Sequence, residues 1–275
     1  MKYRHDASEA LKRANVELAT SNDQRLKYAA LELRFAMEAL TYDRAFAYKA
    51  ELPPEEYDTW QPRKLMALLL EIDPNADKDS SIAVGMEERP GVPSKVMRAL
   101  GTERVFNLAH LKKHYGAIGS YLHMPSIKQA TSCGGVDYLK LRERCKEVAM
   151  YIDEVLASKV WNATLGRFAQ IKCEECSATI RKRVPHGVAR LSAKCFGCAT
   201  TYTVTDAGSG QLTWQIDVTD VSCANPDCGH VIHILDREFK PGSTWICPSC
   251  KGRNTIALGI SFRADLPTPS VTKSS

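Results

Sequence analysis

The sequence predicts an α+β chain, an N-terminal all-α helical bundle followed by two small β modules. Three observations carry this. Apolar residues recur at helical spacing through the first half, the texture changes to short β-prone runs after Gly166, and eight cysteines crowd between residues 173 and 250. The expected organisation is a helical bundle over 1–167, a first module over 168–205, a second over 211–265 and a disordered tail over 266–275.

Asp6 or Ser8 offers an N-cap for a first helix running to about Ala19. Residues 20–23 (Thr-Ser-Asn-Asp) break that pattern and provide caps for a second, longer helix. In it Leu26, Ala30, Leu33, Met37 and Leu40 form one stripe at steps of four and three, and Pro53-Pro54 stops it. Pro62 suits the first turn of a third helix reaching Ile72. Residues 73–94, with three prolines and two glycines, read as a long loop. A fourth helix is expected from about Thr102 to Leu122. The last runs from about Val136 to Trp161, with a stripe of Leu141, Cys145, Val148, Ile152 and Val155. Cys145 on that stripe reads as a core residue.

With 275 residues the chain has room for about two domains. Hydrophobic residues at 44% and charged residues at 25% place it with ordinary globular proteins, which sets aside fibrous and disordered classes. No apolar run approaches the roughly 18 residues of a membrane span. The charged start, Met1 to Asp6, lacks the apolar core of a secretory signal, so a cytoplasmic location is expected. Beyond Gly166, residues 199–204 and 212–218 are β-prone runs set between cysteine pairs and glycines.

The cysteines form an internal repeat. Cys173-x2-Cys176 precedes Cys195-x2-Cys198, Cys223-x4-Cys228 precedes Cys247-x2-Cys250, and eighteen residues separate the pairs in both copies. Close pairs suit a metal, because a tight turn aims both sulfurs at one point. Disulfide frameworks are seldom built from such near neighbours. Eighteen residues allow a hairpin out and back, so each repeat predicts a zinc ribbon holding one structural Zn²⁺ on four thiolates, two ions in all, with an iron centre as the alternative. Ser177, Gly229 and Lys251 stand at three turn exits. His186, His230 and His233 lie nearby and could replace a cysteine, but with four thiolates available to each site they read as surface or strand residues.

Charge separates the modules. Residues 172–205 carry six Lys and Arg against two acids, while residues 206–265 carry five against seven. A Zn²⁺ on four thiolates adds roughly −2 to each. In the first module Arg181, Lys182, Arg183, Arg190 and Lys194 with the ring of Tyr202 make a candidate nucleic-acid surface, RNA or DNA. A solvated charged hairpin is the other reading. Ile232, Ile234, Phe239 and Trp245 of the second suit a protein contact or a small core of their own.

The helix over 26–49, the helix over 62–72 and the segment 114–123 (His-Tyr-Gly-Ala-Ile-Gly-Ser-Tyr-Leu-His) make residues 6–165 similar to a HEPN-type domain, a helical bundle of prokaryotic defence and toxin proteins. The resemblance implies self-association or a protein partner through the helices, and an RNA-directed role. Many HEPN ribonucleases carry Arg, four to six residues, then His, and need no metal. Arg104 and His110 fit that spacing here and become candidate catalytic residues. His123, better placed in the late helix, has no such arginine before it. His110 and His114 share a helix face, but no glutamate completes a metalloprotease motif. The preferred reading is a zinc-binding, non-catalytic nucleic-acid- and protein-binding chain. A HEPN-type endoribonuclease and a structural adaptor are the alternatives.

Overall fold

The computed structural model of the chain describes residues 2–89, 92, 94–124, 137–208 and 211–259. They fall into two compact units, Met1–Gln170 with Arg181–His186, and Ile171–Ile180 with Gly187–Ser275. The expected tail over 266–275 lies outside the described residues, as does Cys133.

In the first unit, α1 (Tyr3–Leu18) packs on α2 (Leu26–Ala47), with α3 (Pro62–Ile72) following. The α2 stripe lands wholly inside, with Leu26, Ala30, Leu33, Met37 and Leu40 all buried. Each Leu so buried contributes about 1.5–3 kcal/mol. Asn22 caps the turn before α2, its side chain accepting from the Gln24 N–H at 3.0 Å. The helix expected last begins at Tyr138, capped by Asp137 at 2.9 Å from the Lys140 N–H, and ends at Leu156 rather than Trp161. Leu141, Cys145, Val148, Ile152 and Val155 are buried along it, and burial pushes the Cys145 thiol up to about 12.

Three expectations need correction. The first helix starts at Tyr3, so Asp6 and Ser8 lie inside it and neither caps it. Within the presumed loop over 73–94, β1 (Ser80–Val84) pairs antiparallel with β2 (Arg98–Glu103). Gly101, at φ +146°, takes a backbone that side chains avoid, where the register slips between Ile82 and Ala83. The next helix therefore starts not at Thr102 but after Asn107, which caps it through the His110 N–H at 2.9 Å. That helix is composite: α4 (Leu108–His110), a π turn (Leu111–Tyr115), α5 (Gly116–Gly119) and a 3₁₀ turn (Ser120–Leu122). The wide π turn lets Leu111, His114 and Tyr115 all face inward.

Two buried arginines complete this unit. Arg44 donates to the Ala76 carbonyl at 2.8 Å and to Glu103 at 3.0 Å. Arg183 grips Glu51 through Nε and Nη2 at 3.0 and 3.1 Å, and donates to the Leu165 carbonyl at 2.7 Å. Asp73 stands 3.3 Å from it, itself accepting the Tyr48 hydroxyl at 2.9 Å. A Cβ on Gly166 would fall 2.5 Å from Arg183 Nη1, so glycine is what lets the guanidinium in.

The second unit is built of short antiparallel strands. β3 (Phe168–Lys172), whose first residues belong to the helical unit, neighbours β4 (Thr179–Arg183). β5 (Arg190–Lys194), β6 (Thr201–Gly208) and β7 (Gln211–Ile216) form a three-stranded sheet. β8 (Val218–Ser222) pairs with β9 (Val231–Leu235), and β10 (Thr244–Ile246) with β11 (Arg253–Thr255). Strand alternation puts Ala193, Tyr202 and Val204 inside with Ile180, against Trp214. The second cluster is smaller: Ile232 and Ile234 with two cysteines, and Trp245 beside them. Three of the four apolar side chains weighed for a protein contact thus serve this small core, while Phe239 is exposed. Among the described residues no helix is long and apolar enough to cross a membrane.

Candidate metal centres

Three of the four cysteine pairs sit in the same backbone turn. The N–H of Cys173 donates to the Ala178 carbonyl and the Ser177 N–H returns to the Cys173 carbonyl, both at 2.8 Å. The same two bonds recur from Cys195 to Thr200 and Ala199, and from Cys247 to Gly252 and Lys251. The wider Cys223 turn closes on the His230 carbonyl at 2.8 Å. Ser177, Ala199, Gly229 and Lys251 all take left-handed backbones near φ +60°. For the three that are not glycine this costs about 1–2 kcal/mol each, which the metal-binding turn must offset. Ala199 is the fourth turn exit, which residue type alone did not reveal.

These turns bring the sulfurs together. Cys173 and Cys198 stand 3.6 Å apart and Cys176 and Cys195 3.5 Å, while Cys223–Cys250 and Cys228–Cys247 are both 3.7 Å. Within each group of four every sulfur lies within 4.8 Å of the others. A tetrahedron with Zn–S bonds of about 2.3 Å has edges of roughly 3.8 Å, whereas a disulfide needs about 2.05 Å. The spacing fits a four-thiolate metal site and excludes disulfides. Both tetra-cysteine groups can therefore bind zinc, and no histidine joins either. His233 instead meets Asp220 at 2.6 Å on the surface.

The surroundings split the thiols: Cys173, Cys198 and Cys250 are lowered, while Cys176 and Cys223 are raised against the pull of backbone N–H groups. The Gly252 N–H, 3.4 Å from Cys250 Sγ, leads in bringing that thiol down to about 6. Burial works to raise Cys198, but the hydroxyl and N–H of Thr200 with the neighbouring thiols bring it down to about 6. Tyr202 is wholly buried and donates its hydroxyl to Cys173 Sγ at 3.3 Å, while accepting the Glu174 N–H at 3.1 Å. In the second site Asn254, also buried, accepts the Ala224 N–H at 2.7 Å beside Cys223. Arg237 of the second ribbon donates to the Cys198 carbonyl at 3.0 Å, the Thr200 hydroxyl at 2.7 Å and Glu175 at 3.0 Å. Neither Asn254 nor Arg237 carries a spacing signal, and both were missed.

The expected nucleic-acid set divides. Tyr202 has no exposed face for a base, because its ring fills the first ribbon's core and its hydroxyl serves a cysteine. Arg183 is buried against Glu51 in the helical unit and is not a free cation. Arg181 is exposed with its guanidinium 3.9 Å over the Phe168 ring, and Lys182 is half-buried. Arg190 and Lys194 are exposed on β5.

The candidate catalytic residues already have partners. Arg104, half-exposed, lies 3.5 Å from Glu154 and 3.7 Å from Asp79. His110 stacks on Tyr151 with ring centroids 3.8 Å apart, and its Nδ1 meets Asn107 Oδ1 at 2.8 Å. Desolvation, then Lys113, lowers its pKa below the usual imidazole value. Against known proteins, no family model, no curated protein and no solved structure matches this chain.

Proposed function

We propose that the chain is a non-catalytic nucleic-acid-binding protein whose two tetra-cysteine sites hold structural Zn²⁺. Four thiolates fill a tetrahedral ion, leaving no position for substrate or water. The observation that carries the reading is the outward face of the β5–β6–β7 sheet. Arg190, Ser192 and Lys194 stand across from Thr205, Thr203 and Thr201, and Thr205 and Thr203 face Thr213 and Gln215 in turn. Cations among hydroxyls and amides suit a phosphate backbone. The acid at its border, Asp217, already accepts the Thr203 hydroxyl at 2.8 Å.

The HEPN-like pattern of the helices supports RNA as the strand and a prokaryotic defence setting. Exposed Phe239 and Ile246 on the second ribbon, and Tyr28 and Phe35 on α2, support a protein partner or a second copy there. Anisotropy with labelled single-stranded RNA and DNA, from 50 to 200 mM salt, tests the reading. Binding should weaken with salt, and Arg190→Ala/Lys194→Ala should flatten the log–log slope by about 1.4. Absence of salt-dependent binding would leave the adaptor.

A HEPN-type ribonuclease on Arg104 and His110 remains the second reading. Favouring it, Asn107 Oδ1 lies 2.8 Å from His110 Nδ1, a contact that suits the tautomer with Nε2 free to accept a proton. Against it, Arg104 faces two exposed carboxylates, Glu154 and Asp79, at 3.5 and 3.7 Å. Loss of RNA cleavage or growth arrest in Arg104→Ala/His110→Ala would establish the enzyme.

A further inference from the structure

Away from the cysteines, the helical unit holds a cavity of about 410 Å³. Arg34 of α2, Trp60 and Arg63 around the start of α3, and Tyr115, Ser120 and His123 of the composite helix line it, and no carboxylate does among the described residues. That volume falls within the roughly 300–1,000 Å³ of small-molecule sites.

Arg34 is half-buried and seated, while Arg63 is exposed. The Arg34 guanidinium lies 4.1 Å over the Tyr115 ring. A Cβ on Gly119 would come within 2.1 Å of Arg34 Nη1, so the missing side chain is what admits the guanidinium. One turn back, a Cβ on Gly116 would lie 4.0 Å from Arg63 Nη1. Positions three apart on a helix are about 5–6 Å apart, so both guanidinia rest on neighbouring spots of one helix face. Neither forms an ion pair among the described residues. Glu38, one turn beyond Arg34, accepts the Tyr115 hydroxyl instead. Two adjacent cations with no carboxylate at ion-pair distance, in a cavity lined by no acid among the described residues, are matched by a dianion that both forks can grip. Trp60, 67% exposed at the same cavity, adds a bare ring face.

We infer that this cavity binds a phosphate ester carrying a flat ring, as in a nucleoside monophosphate. The phosphate spans Arg34 and Arg63 and the ring packs on Trp60. The inference uses no residue of the ribbons and does not depend on strand binding there.

Isothermal titration calorimetry on the full zinc-loaded chain tests it, with adenosine 5′-monophosphate, uridine 5′-monophosphate, adenosine and inorganic phosphate as probes. At least one nucleotide should bind more tightly than adenosine or phosphate alone. Arg34→Gln/Arg63→Gln should weaken it tenfold or more. Gly119→Ala, which keeps both arginines but displaces Arg34, should weaken it in the same direction if the helical circular dichroism is retained. Trp60→Ala should lose the nucleotide's advantage over phosphate. A 5′-phosphorylated RNA oligonucleotide competing with the mononucleotide would make a strand end the source, and failure to compete would make it the free nucleotide. Adenosine binding as well as its monophosphate, no saturation at millimolar nucleotide, or undiminished binding in the folded double variant would overturn the inference. Arg190→Ala/Lys194→Ala should leave these titrations unchanged, so either proposal can fail alone.

Discussion

The helical unit and the ribbon unit solve the same problem with different materials. The helices bury a continuous apolar cluster that runs from Ala7 to Val155. In the second ribbon the buried cluster is Cys223, Ile232, Ile234 and Cys247, so half of it is cysteine sulfur of the candidate metal site. A large apolar core loses stability in increments as side chains are trimmed. A module whose core is a tetrahedron of thiolates has no such gradation, because three ligands do not make a closed site.

The largest test is removal of the metal. A strong chelator, or Cys195→Ala and Cys247→Ala singly, should cost a ribbon its fold, since structural zinc contributes about 10–16 kcal/mol in small modules. Metal content should fall from two ions per chain to none with chelator and to one in each variant, with helical circular dichroism kept. Loss of the helical signal would break the comparison. Next, Arg183→Ala should destabilise the helical unit by about 3–5 kcal/mol, because it strands Glu51 and Asp73 in a buried site. Its nucleic-acid affinity should not change, and a lower affinity would return Arg183 to the binding surface. Ile152→Ala should cost about 2–5 kcal/mol in denaturant melts with zinc content unaltered.

A smaller effect sharpens the contrast within the ribbons. Tyr202→Phe removes the hydroxyl from Cys173, and such supporting bonds are worth about 10–100-fold in metal affinity. Competition against a zinc indicator should show that loss at the first site only. The smallest effect is electrostatic. Desolvation comes first in lowering both His110 and His114. In the window from the ordinary imidazole value of about 6.5 down to their folded values, the unfolded chain binds more protons. Helical-unit stability should therefore rise with pH through that window and fall on acidification. Denaturant melts at several pH values, read on the helical signal, check the sign.

Much of this contrast was legible in the sequence. The two stripes and the cysteine repeat are local periodicities, and their periods correspond to a helix face and to a metal-binding turn. What escaped depends on distant partners. Arg183 reads as a surface cation until Glu51, 132 residues earlier in sequence, closes on it. Tyr202 was recognised as an aromatic of the first ribbon, but strand alternation turns it inward to Cys173. The β1–β2 hairpin was hidden because prolines and glycines between its strands gave the whole stretch a loop's composition. In the candidate cavity, Gly116 and Gly119 look like helix-weakening residues until the arginines of two other helices are laid over them.

Arg237 has a consequence for how the metals are taken up. Its guanidinium joins the second ribbon to the backbone carbonyl of a first-site ligand, Cys198, and to the Thr200 hydroxyl that supports it. Ordering either ribbon therefore helps to order the other. We expect loading to be cooperative, with native mass spectrometry during a zinc titration showing mainly empty and doubly filled chains. Arg237→Ala should let the singly filled form accumulate. A chain wired in this way would respond to metal supply more as a threshold than as a scale.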